Sequence, residues 1–290
     1  MNEYQKGLLI TLAGVLVITP DSLLIRLIDG NSWNVTFWRS FLSGIIITLG
    51  LAIYYRGKFF NRLRDIGFAG LALAFVWTIS TLCFVFSIKN TAVANTLFIV
   101  STAPVFAALI AWLVLRERVS MRTWLTILGC LAGIGVIAFG SLEGSGRASL
   151  KGDIAALGAA IAIATTFSIA RHSRAVSMIP AMAISSFLAA YIAFPFSTPT
   201  VLDTTNIVSI AIVGLFVAPL GSSLLAIGPR YIPAADVSLL MLLEALIGPL
   251  WVWWYLSEAP NSYTFIGGTL VLITLAISNG ILLLRRKVSA

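Results

Sequence analysis

Apolar residues in this sequence fall in ten long blocks, and these blocks constrain the fold more than any other feature. Each block runs for about 15 to 23 residues and is followed by a short polar stretch. A bilayer has a hydrocarbon core about 30 Å thick, which a helix of about 20 apolar residues crosses. Lipid offers no hydrogen-bond partner to an open strand edge, so the blocks are predicted to be helices. The predicted fold class is an all-α integral membrane protein with ten spans, at Gly7–Leu27, Val35–Tyr54, Phe68–Ile88, Val93–Leu115, Thr123–Phe139, Ile154–Ala170, Ala181–Phe196, Ile207–Ile227, Val237–Leu256 and Phe265–Leu284.

Composition and motifs exclude several functions. Of the 290 residues, 59% are hydrophobic, and the loops are too short to form a soluble domain. The net charge of +8 does not indicate nucleic-acid binding, because the basic residues stand at block ends rather than along one stripe. The sequence has no phosphate-binding loop, no H-E-x-x-H and no G-x-S-x-G, so neither an ATP-driven pump nor an enzyme is predicted. Cys83 and Cys130 lie inside apolar blocks and His172 is the single histidine, so no disulfide, metal or other cofactor is expected.

A Gly/Ser-rich stretch divides the ten predicted spans five and five. The predicted units are a first five-helix repeat at 1–140, a linker at 141–151 and a second repeat at 152–290. Weak sequence matches support a duplication. At an offset of 145 residues they pair Lys6-Gly7 with Lys151-Gly152 and Arg26 with Arg171, and at 141 they pair Asn95 with Asp236, Trp112 with Trp253 and Glu117 with Glu258.

Basic residues predict the orientation of the spans. Fourteen Lys and Arg residues fall in loops on the side of the two termini, and four, Arg26, Lys89, Arg147 and Lys151, fall on the other side. Because cytoplasmic loops carry the excess of positive charge, both termini are predicted to be cytoplasmic. Five helices per half is an odd number, so the second half begins on the opposite face and the repeats are predicted to be inverted. This arrangement places a substrate site near the midplane and supports alternating access.

Three charged residues lie well inside predicted spans, where an unpaired charge costs about 2.5 to 3.5 kcal/mol or more. Asp21 and Arg39 fall at similar depths on neighbouring helices. They are predicted either to form a structural ion pair or, in addition, to let Arg39 bind a substrate carboxylate from a cavity. Glu244 has no basic neighbour within a turn. It is expected to meet a substrate ammonium group or to carry a proton, the alternative being a hydrogen bond to a backbone carbonyl.

Other polar and aromatic residues are candidates for the cavity and for gating. Pro219 and Gly221 weaken the eighth span, and the polar residues Thr78 and Ser80 beside Trp77 stand at the matching place in the third. The eighth span is therefore predicted to gate transport, or else to hold a static kink. Asn95 and Thr102 share one helix face, which either lines the cavity or bonds neighbouring helices. Trp38 and Trp77 are candidate cavity walls, and the tryptophans at 251, 253 and 254 are either further walls or an interfacial belt.

Two stretches of the chain carry a family resemblance. The first contains AVAN at 92–95, APVFAA at 103–108, LRERVS at 115–120 and the glycines from 129 to 135, and the second runs from Leu243-Glu244-Ala245 to Glu258. Both resemble the repeat unit of the EamA-type transporters of the drug/metabolite transporter superfamily, and within it the aromatic amino acid and drug exporters. Ala245 stands where these relatives usually have proline, and Pro249 follows four residues later, so the ninth helix is expected to bend elsewhere.

The resemblance implies a secondary transporter that exports aromatic or neutral amino acids, or related small metabolites, across a bacterial inner membrane. It implies eight helices around a central cavity, with helices 5 and 10 at the periphery. Its expected partners are a small-molecule substrate, the lipid bilayer and, as a candidate coupling ion, the proton, and a monomer is expected to suffice. A multidrug or organic-cation exporter is the alternative within transport. A membrane enzyme or channel is the alternative of another class.

Overall fold

The computed structural model describes residues 3–56, 64–115, 121–143, 147–173, 176–198, 204–228, 231–232 and 234–288. Every regular element in these ranges is a helix. The α-helices are α1 Glu3–Ile18, α2 Asp21–Leu27, α3 Ser32–Tyr55, α4 Gly67–Asn90, α5 Val93–Val100, α6 Ala103–Leu115, α7 Met121–Leu142, α8 Leu150–His172, α9 Ile179–Ala193, α10 Thr204–Ile212, α11 Ala218–Ile227, α12 Ala234–Leu256 and α13 Ser262–Val288. Within the described residues, eight segments are long and apolar enough to cross a membrane, and two shorter apolar helices, Leu240–Leu256 and Ser262–Ser278, follow them.

Two predicted spans are interrupted where the sequence predicts continuous helices. The first is divided into α1 and α2 at Thr19-Pro20, because a proline nitrogen cannot donate to the carbonyl one turn back. The Thr19 hydroxyl donates to that carbonyl, of Leu16, instead, at 2.9 Å. The fourth span is divided into α5 and α6 at Ser101-Thr102, just before Pro104. Pro20 and Pro104 are the sequence signals for these two breaks, and the prediction of continuous spans does not use them.

The eighth span contains a π-helical turn that the sequence does not predict. It covers Val213–Val217 and joins α10 to α11, and Pro219 stands in the first turn of α11. A π turn inserts an extra residue into the helix and is typical of functional sites. The disruption near Pro219 therefore lies before the proline rather than at it.

Contacts between loops show which helix ends lie together. At one end of the bundle the Lys89 ammonium donates to the carbonyl of Ile28 at 2.6 Å, and the backbone N–H of Ser149 donates to the hydroxyl of Thr91 at 3.0 Å. At the other end the Lys6 ammonium lies 5.1 Å from the centre of the Tyr231 ring. The end that holds Ile28, Lys89, Thr91 and Ser149 is called the Lys89 end below, and the other the Lys6 end. α1 begins at the Lys6 end and α8 at the Lys89 end, so the two halves start at opposite ends.

Helix packing repeats between the halves. α1 packs on α11 as α8 packs on α4, and α1 contacts α12 as α8 contacts α6. α3 packs on α9 and α7 packs on α13, which pair equivalent helices of the two halves. Glycines permit the close approach of α7 to α13, since a Cβ at Gly133 would lie 2.7 Å from the carbonyl of Gly267.

The repeat prediction falls partly outside the described residues. The parts that do so are Glu117, the side chains of Arg171 and Asp236, and linker residues 144–146.

Candidate functional site

A cavity lies in the middle of the bundle, between the two halves. It encloses about 740 Å³, counted with the space at its mouth. Its polar and charged lining comes from α2, α3, α4, α9, α11 and α12, namely Asp21, Arg39, Ser40, Ser43, Ser80, Thr81, Ser186, Ser222 and Glu244. Arg39 lies seven residues into α3 and Glu244 ten residues into α12, which at 1.5 Å per residue places them about 10 and 15 Å from those helix ends. The cavity is therefore near the middle of a layer about 30 Å thick.

Asp21 and Arg39 form a two-point ion pair in the cavity wall. Nε of Arg39 donates to Oδ1 of Asp21 at 3.1 Å, and Nη2 donates to Oδ2 at 2.8 Å. The side chain of Asp21 is 1% exposed and that of Arg39 12% exposed. Because this geometry uses one edge of the guanidinium, Nη1 and the second hydrogen of Nη2 have no partner within the described part of the chain. The Pro20 break helps to position the pair, since Asp21 is the first residue of α2.

Glu244 faces the same cavity from α12. It is partly buried, and it makes no hydrogen bond or ion pair to any described residue. It lies within electrostatic range of both Asp21 and Arg39. Helix α12 begins at Ala234, three residues before the predicted start, so Glu244 lies deeper than the sequence indicates. The three charged side chains of the cavity are the three that the sequence selects.

The cavity walls follow helical periodicity. Trp77, Ser80, Thr81 and Phe84 lie on one face of α4, at spacings of three, four and seven residues. On α3, Ser40 directly follows Arg39, and Ser43 lies about one turn after it. The sequence prediction includes Trp77 and Ser80 and omits Ser40, Ser43, Thr81, Ser186, Ser222 and Met241. The helical spacing of Thr81 and Phe84 from Trp77, and of Ser43 from Arg39, is a signal that could have identified those three residues, and it does not extend to Ser186, Ser222 and Met241.

Two predicted cavity residues lie in helix contacts instead. Thr78 is fully buried, and its hydroxyl lies 2.9 Å from the carbonyl of Ala74 and 3.1 Å from the hydroxyl of Ser185 on α9. It follows Trp77 by about 100° around the helix, which turns it away from the cavity. Trp38 packs against an apolar cluster that contains Val35 and Val213, and its indole nitrogen has no partner among the described residues.

Asn95 and Thr102 also lie outside the cavity lining. Asn95 is fully buried near the Lys89 end, where its side-chain amide donates to the carboxylate of Asp153 at 3.2 Å and its carbonyl oxygen accepts from the hydroxyl of Thr264. Thr102 sits at the break between α5 and α6, and its hydroxyl donates to the carbonyl of Ile99 at 2.6 Å. Asn95 therefore makes contacts between helices, and Thr102 provides a hydrogen-bond donor to a backbone carbonyl near Pro104.

The predicted gating residues border the cavity without lining it. Pro219 and Gly221 are buried on α11, between the lining residues Ala218 and Ser222. A Cβ at Gly221 would lie 3.0 Å from that of Ile18, so glycine permits α11 to approach α1 closely. The three tryptophans of α12 at 251, 253 and 254 are 39%, 54% and 77% exposed, which places them on the outer surface of the bundle.

Metal binding has little support in the residues described. No group of three or more His, Cys, Asp and Glu side chains among them could hold a metal ion. His172 is exposed at the end of α8. The chemistry available in the cavity is therefore that of two carboxylates, one guanidinium, several hydroxyls and aromatic rings.

Apolar helices of membrane-crossing length and a charged central cavity define a multi-pass membrane protein of the transporter class. The model of the EamA-like transporter family matches residues 5–139 and again residues 150–280. The chain therefore belongs to the EamA-like transporter family, and the two matches coincide with its two halves.

Solved structures show the same fold. One titled "Crystal structure of protein" is similar over 97% of this chain and 98% of its own, with a TM-score of 0.67 and 15% sequence identity. A comparison with curated proteins found no match.

Proposed function

We propose that the chain is a secondary transporter that exports aromatic or neutral amino acids, or related small metabolites, by alternating access. In this proposal ten spans form two inverted five-helix repeats in a bacterial inner membrane, with both termini in the cytoplasm. The opposite starting ends of α1 and α8 and the repeated helix packing support the inverted arrangement. Inverted repeats place the substrate between them, which is where the cavity lies.

The observation that carries the proposal is the pair of opposite charges on the two halves. Arg39, from the first half, presents the unpaired edge of its guanidinium, and Glu244, from the second half, presents an unpaired carboxylate. A zwitterionic amino acid has a carboxylate for the first and an ammonium group for the second. Charged groups within a membrane are costly and are retained where a substrate or ion uses them.

Neutral side chains complete the proposed binding site. The hydroxyls of Ser40 and Ser43 are next to Arg39 and are not engaged by any described residue, so they are available to a carboxylate. Trp77 and Phe84 provide apolar walls for a substrate side chain. A site with a few convergent polar groups on apolar walls is the usual form of a small-molecule pocket.

Glu244 also offers a route for coupling to protons. When Glu244 is ionised, the net charge of Asp21, Arg39 and Glu244 together is −1. Either a substrate ammonium group or a proton neutralises that charge, and the two cannot occupy the carboxylate together. Exchange of one for the other would couple substrate movement to proton movement.

Organic-cation export is the second candidate. Asp21 already occupies one edge of Arg39, and the net charge of −1 favours a cation over an anion. A cation needs only Glu244 and the aromatic walls, whereas a zwitterion also needs the free edge of Arg39.

Competition in proteoliposomes distinguishes the two candidates. The purified chain is assayed for uptake of labelled phenylalanine, with phenylalanine methyl ester, N-acetylphenylalanine and tetraphenylphosphonium as competitors. If the site is for zwitterions, neither the ester nor the N-acetyl compound competes as well as phenylalanine. Competition by the ester and by tetraphenylphosphonium at least equal to that by phenylalanine would favour the cation exporter. Labelled tetraphenylphosphonium is assayed in the same liposomes, and absence of uptake of both it and phenylalanine would contradict transport of both classes.

Cysteine labelling tests the proposed topology. Met121 at the start of α7 and Ala259 in the loop before α13 are exposed at opposite ends of the bundle. In a background that lacks Cys83 and Cys130, Ala259→Cys is expected to react with a membrane-impermeant maleimide in intact spheroplasts. Met121→Cys is expected to react only after permeabilisation. The reverse pattern, or labelling of both from one side, would contradict the topology.

A further inference from the structure

A second, more apolar cavity lies beside the first and nearer the Lys6 end. It encloses about 340 Å³, counted in the same way, and is lined by residues of α4, α8, α9 and α11 and by Met178, which precedes α9. Trp77, Ser222 and Leu225 line both cavities, so the two are neighbours separated by these side chains. The residues that line only the second are Leu73, Thr166, Phe167, Ala170, Met178, Met182 and Ala226. We call this second cavity the side pocket.

Among the residues that line only the side pocket, Thr166 is the polar one. Thr166 is 2% exposed, and its hydroxyl has no hydrogen-bond partner among the described residues. Other hydroxyls in these helices donate to a carbonyl one turn back, as Thr165 does to Ile161 and Ser168 to Ala164, both at 2.8 Å. A buried hydroxyl without a partner costs free energy, so its presence in the lining of a cavity points to a ligand that satisfies it.

The position of Thr166 suits a group attached to a molecule held at Glu244. Thr166 lies six residues before the end of α8, and Glu244 lies ten residues after the start of α12, and both of these helix ends are at the Lys6 end. At 1.5 Å per residue Thr166 is therefore about 6 Å nearer that end than Glu244. That difference is comparable to the reach of an aromatic side chain from its α-carbon to the polar atom on its ring.

We infer that the side pocket receives the side chain of the transported amino acid and that Thr166 hydrogen-bonds a polar atom at the far end of that side chain. The inference rests on the proposed function and extends it to a substrate class, amino acids whose flat apolar side chain carries one hydrogen-bonding atom. Leu73, Phe167, Met178 and Met182 supply an apolar and partly flexible surface for the ring. Thr166 is the residue that distinguishes tyrosine from phenylalanine.

Two substitutions test the inference in proteoliposomes, with tyrosine, phenylalanine and alanine as labelled substrates. Thr166→Val keeps the shape and removes the hydroxyl, so uptake of tyrosine relative to phenylalanine is expected to fall about five- to tenfold. Thr166→Ser keeps the hydroxyl and is expected to preserve the ratio. Ala170→Leu fills the side pocket and is expected to reduce uptake of both aromatic substrates relative to alanine.

The matched control is Thr165→Val, which removes a neighbouring hydroxyl that is bonded to its own helix. It is expected to leave all three uptakes unchanged. An unchanged tyrosine-to-phenylalanine ratio in Thr166→Val, with active transport, would overturn the inference and leave the proposed function intact. Unaltered aromatic uptake in Ala170→Leu would overturn it as well. Lack of amino acid uptake by the parent protein would instead contradict the proposed function.

Discussion

Two carboxylates inside the bundle, Asp153 and Glu244, differ in how many hydrogen bonds the described part of the chain gives them. Asp153, in the first turn of α8, is 4% exposed and accepts from the Thr91 hydroxyl at 2.8 Å, from the Asn95 amide at 3.2 Å and from the Ser141 hydroxyl. Glu244 borders a cavity and makes no hydrogen bond or ion pair within the described ranges. Both are costly to bury, and only one is compensated by the fold.

The difference agrees with a structural role for Asp153 and with the role proposed above for Glu244. Asp153 joins the loops at the Lys89 end, and its charge is also favourable at the N-terminus of a helix. In the proposed transport cycle, a substrate or a proton compensates the charge of Glu244. Asp21 is intermediate, because a single partner, Arg39, holds it with two hydrogen bonds and keeps an edge free. Among the described residues, the number of hydrogen-bonding partners therefore falls from Asp153 to Asp21 to Glu244.

The largest expected effect follows from turning Asp21 into an unpaired acid. Arg39→Leu removes its one ion-pair partner within the described ranges and is expected to lower the free energy of unfolding by about 3 to 5 kcal/mol. Adding Asp21→Asn to that variant should recover most of the stability while transport remains absent. Thermal unfolding of the detergent-solubilised protein and uptake in liposomes measure the two effects. Recovery of transport by the double variant would show that the pair is only structural.

Loss of the best-satisfied acid comes next. Asp153→Ala leaves the donors of Thr91, Asn95 and Ser141 without their acceptor, which is expected to cost about 3 kcal/mol. The melting temperature should fall by about 5 to 10 °C. Glu244→Ala is the matched comparison and should shift it by no more than about 2 °C, because no protein donor loses a partner. Equal losses of stability in the two variants would break the distinction between the acids.

How much of this arrangement the sequence predicts depends on the kind of signal. Asp21, Arg39 and Glu244 were found because charge is rare inside apolar spans and has to be accommodated. Asp153 was missed because it stands near a predicted span boundary, where charge is ordinary. The prediction includes Thr78 and omits Thr81, because composition does not show which face of α4 borders the cavity. The π turn at Val213–Val217 packs on α3, a contact between distant segments that the local sequence does not show.

The smallest expected effect concerns movement around the cavity. Pro219→Ala restores a backbone donor near the π turn and stiffens the joint between α10 and α11. It is expected to slow transport about threefold and to leave the melting temperature within about 2 °C of the parent. Pro249→Ala, inside α12, is a matched control for losing a helix proline. If Pro219→Ala transports as fast as the parent when equal amounts of protein are reconstituted, the joint between α10 and α11 is static.

Glu244→Gln tests the central claim most directly, because it keeps the size and hydrogen-bonding capacity of the side chain and removes its charge. Uptake of phenylalanine into liposomes is measured with and without an imposed pH gradient, for the parent and the variant. We predict that the parent responds to the gradient, and that the variant melts at the same temperature, transports at least about tenfold more slowly and loses the response. Parent-like uptake with a parent-like response in the variant would contradict a substrate or proton role for Glu244.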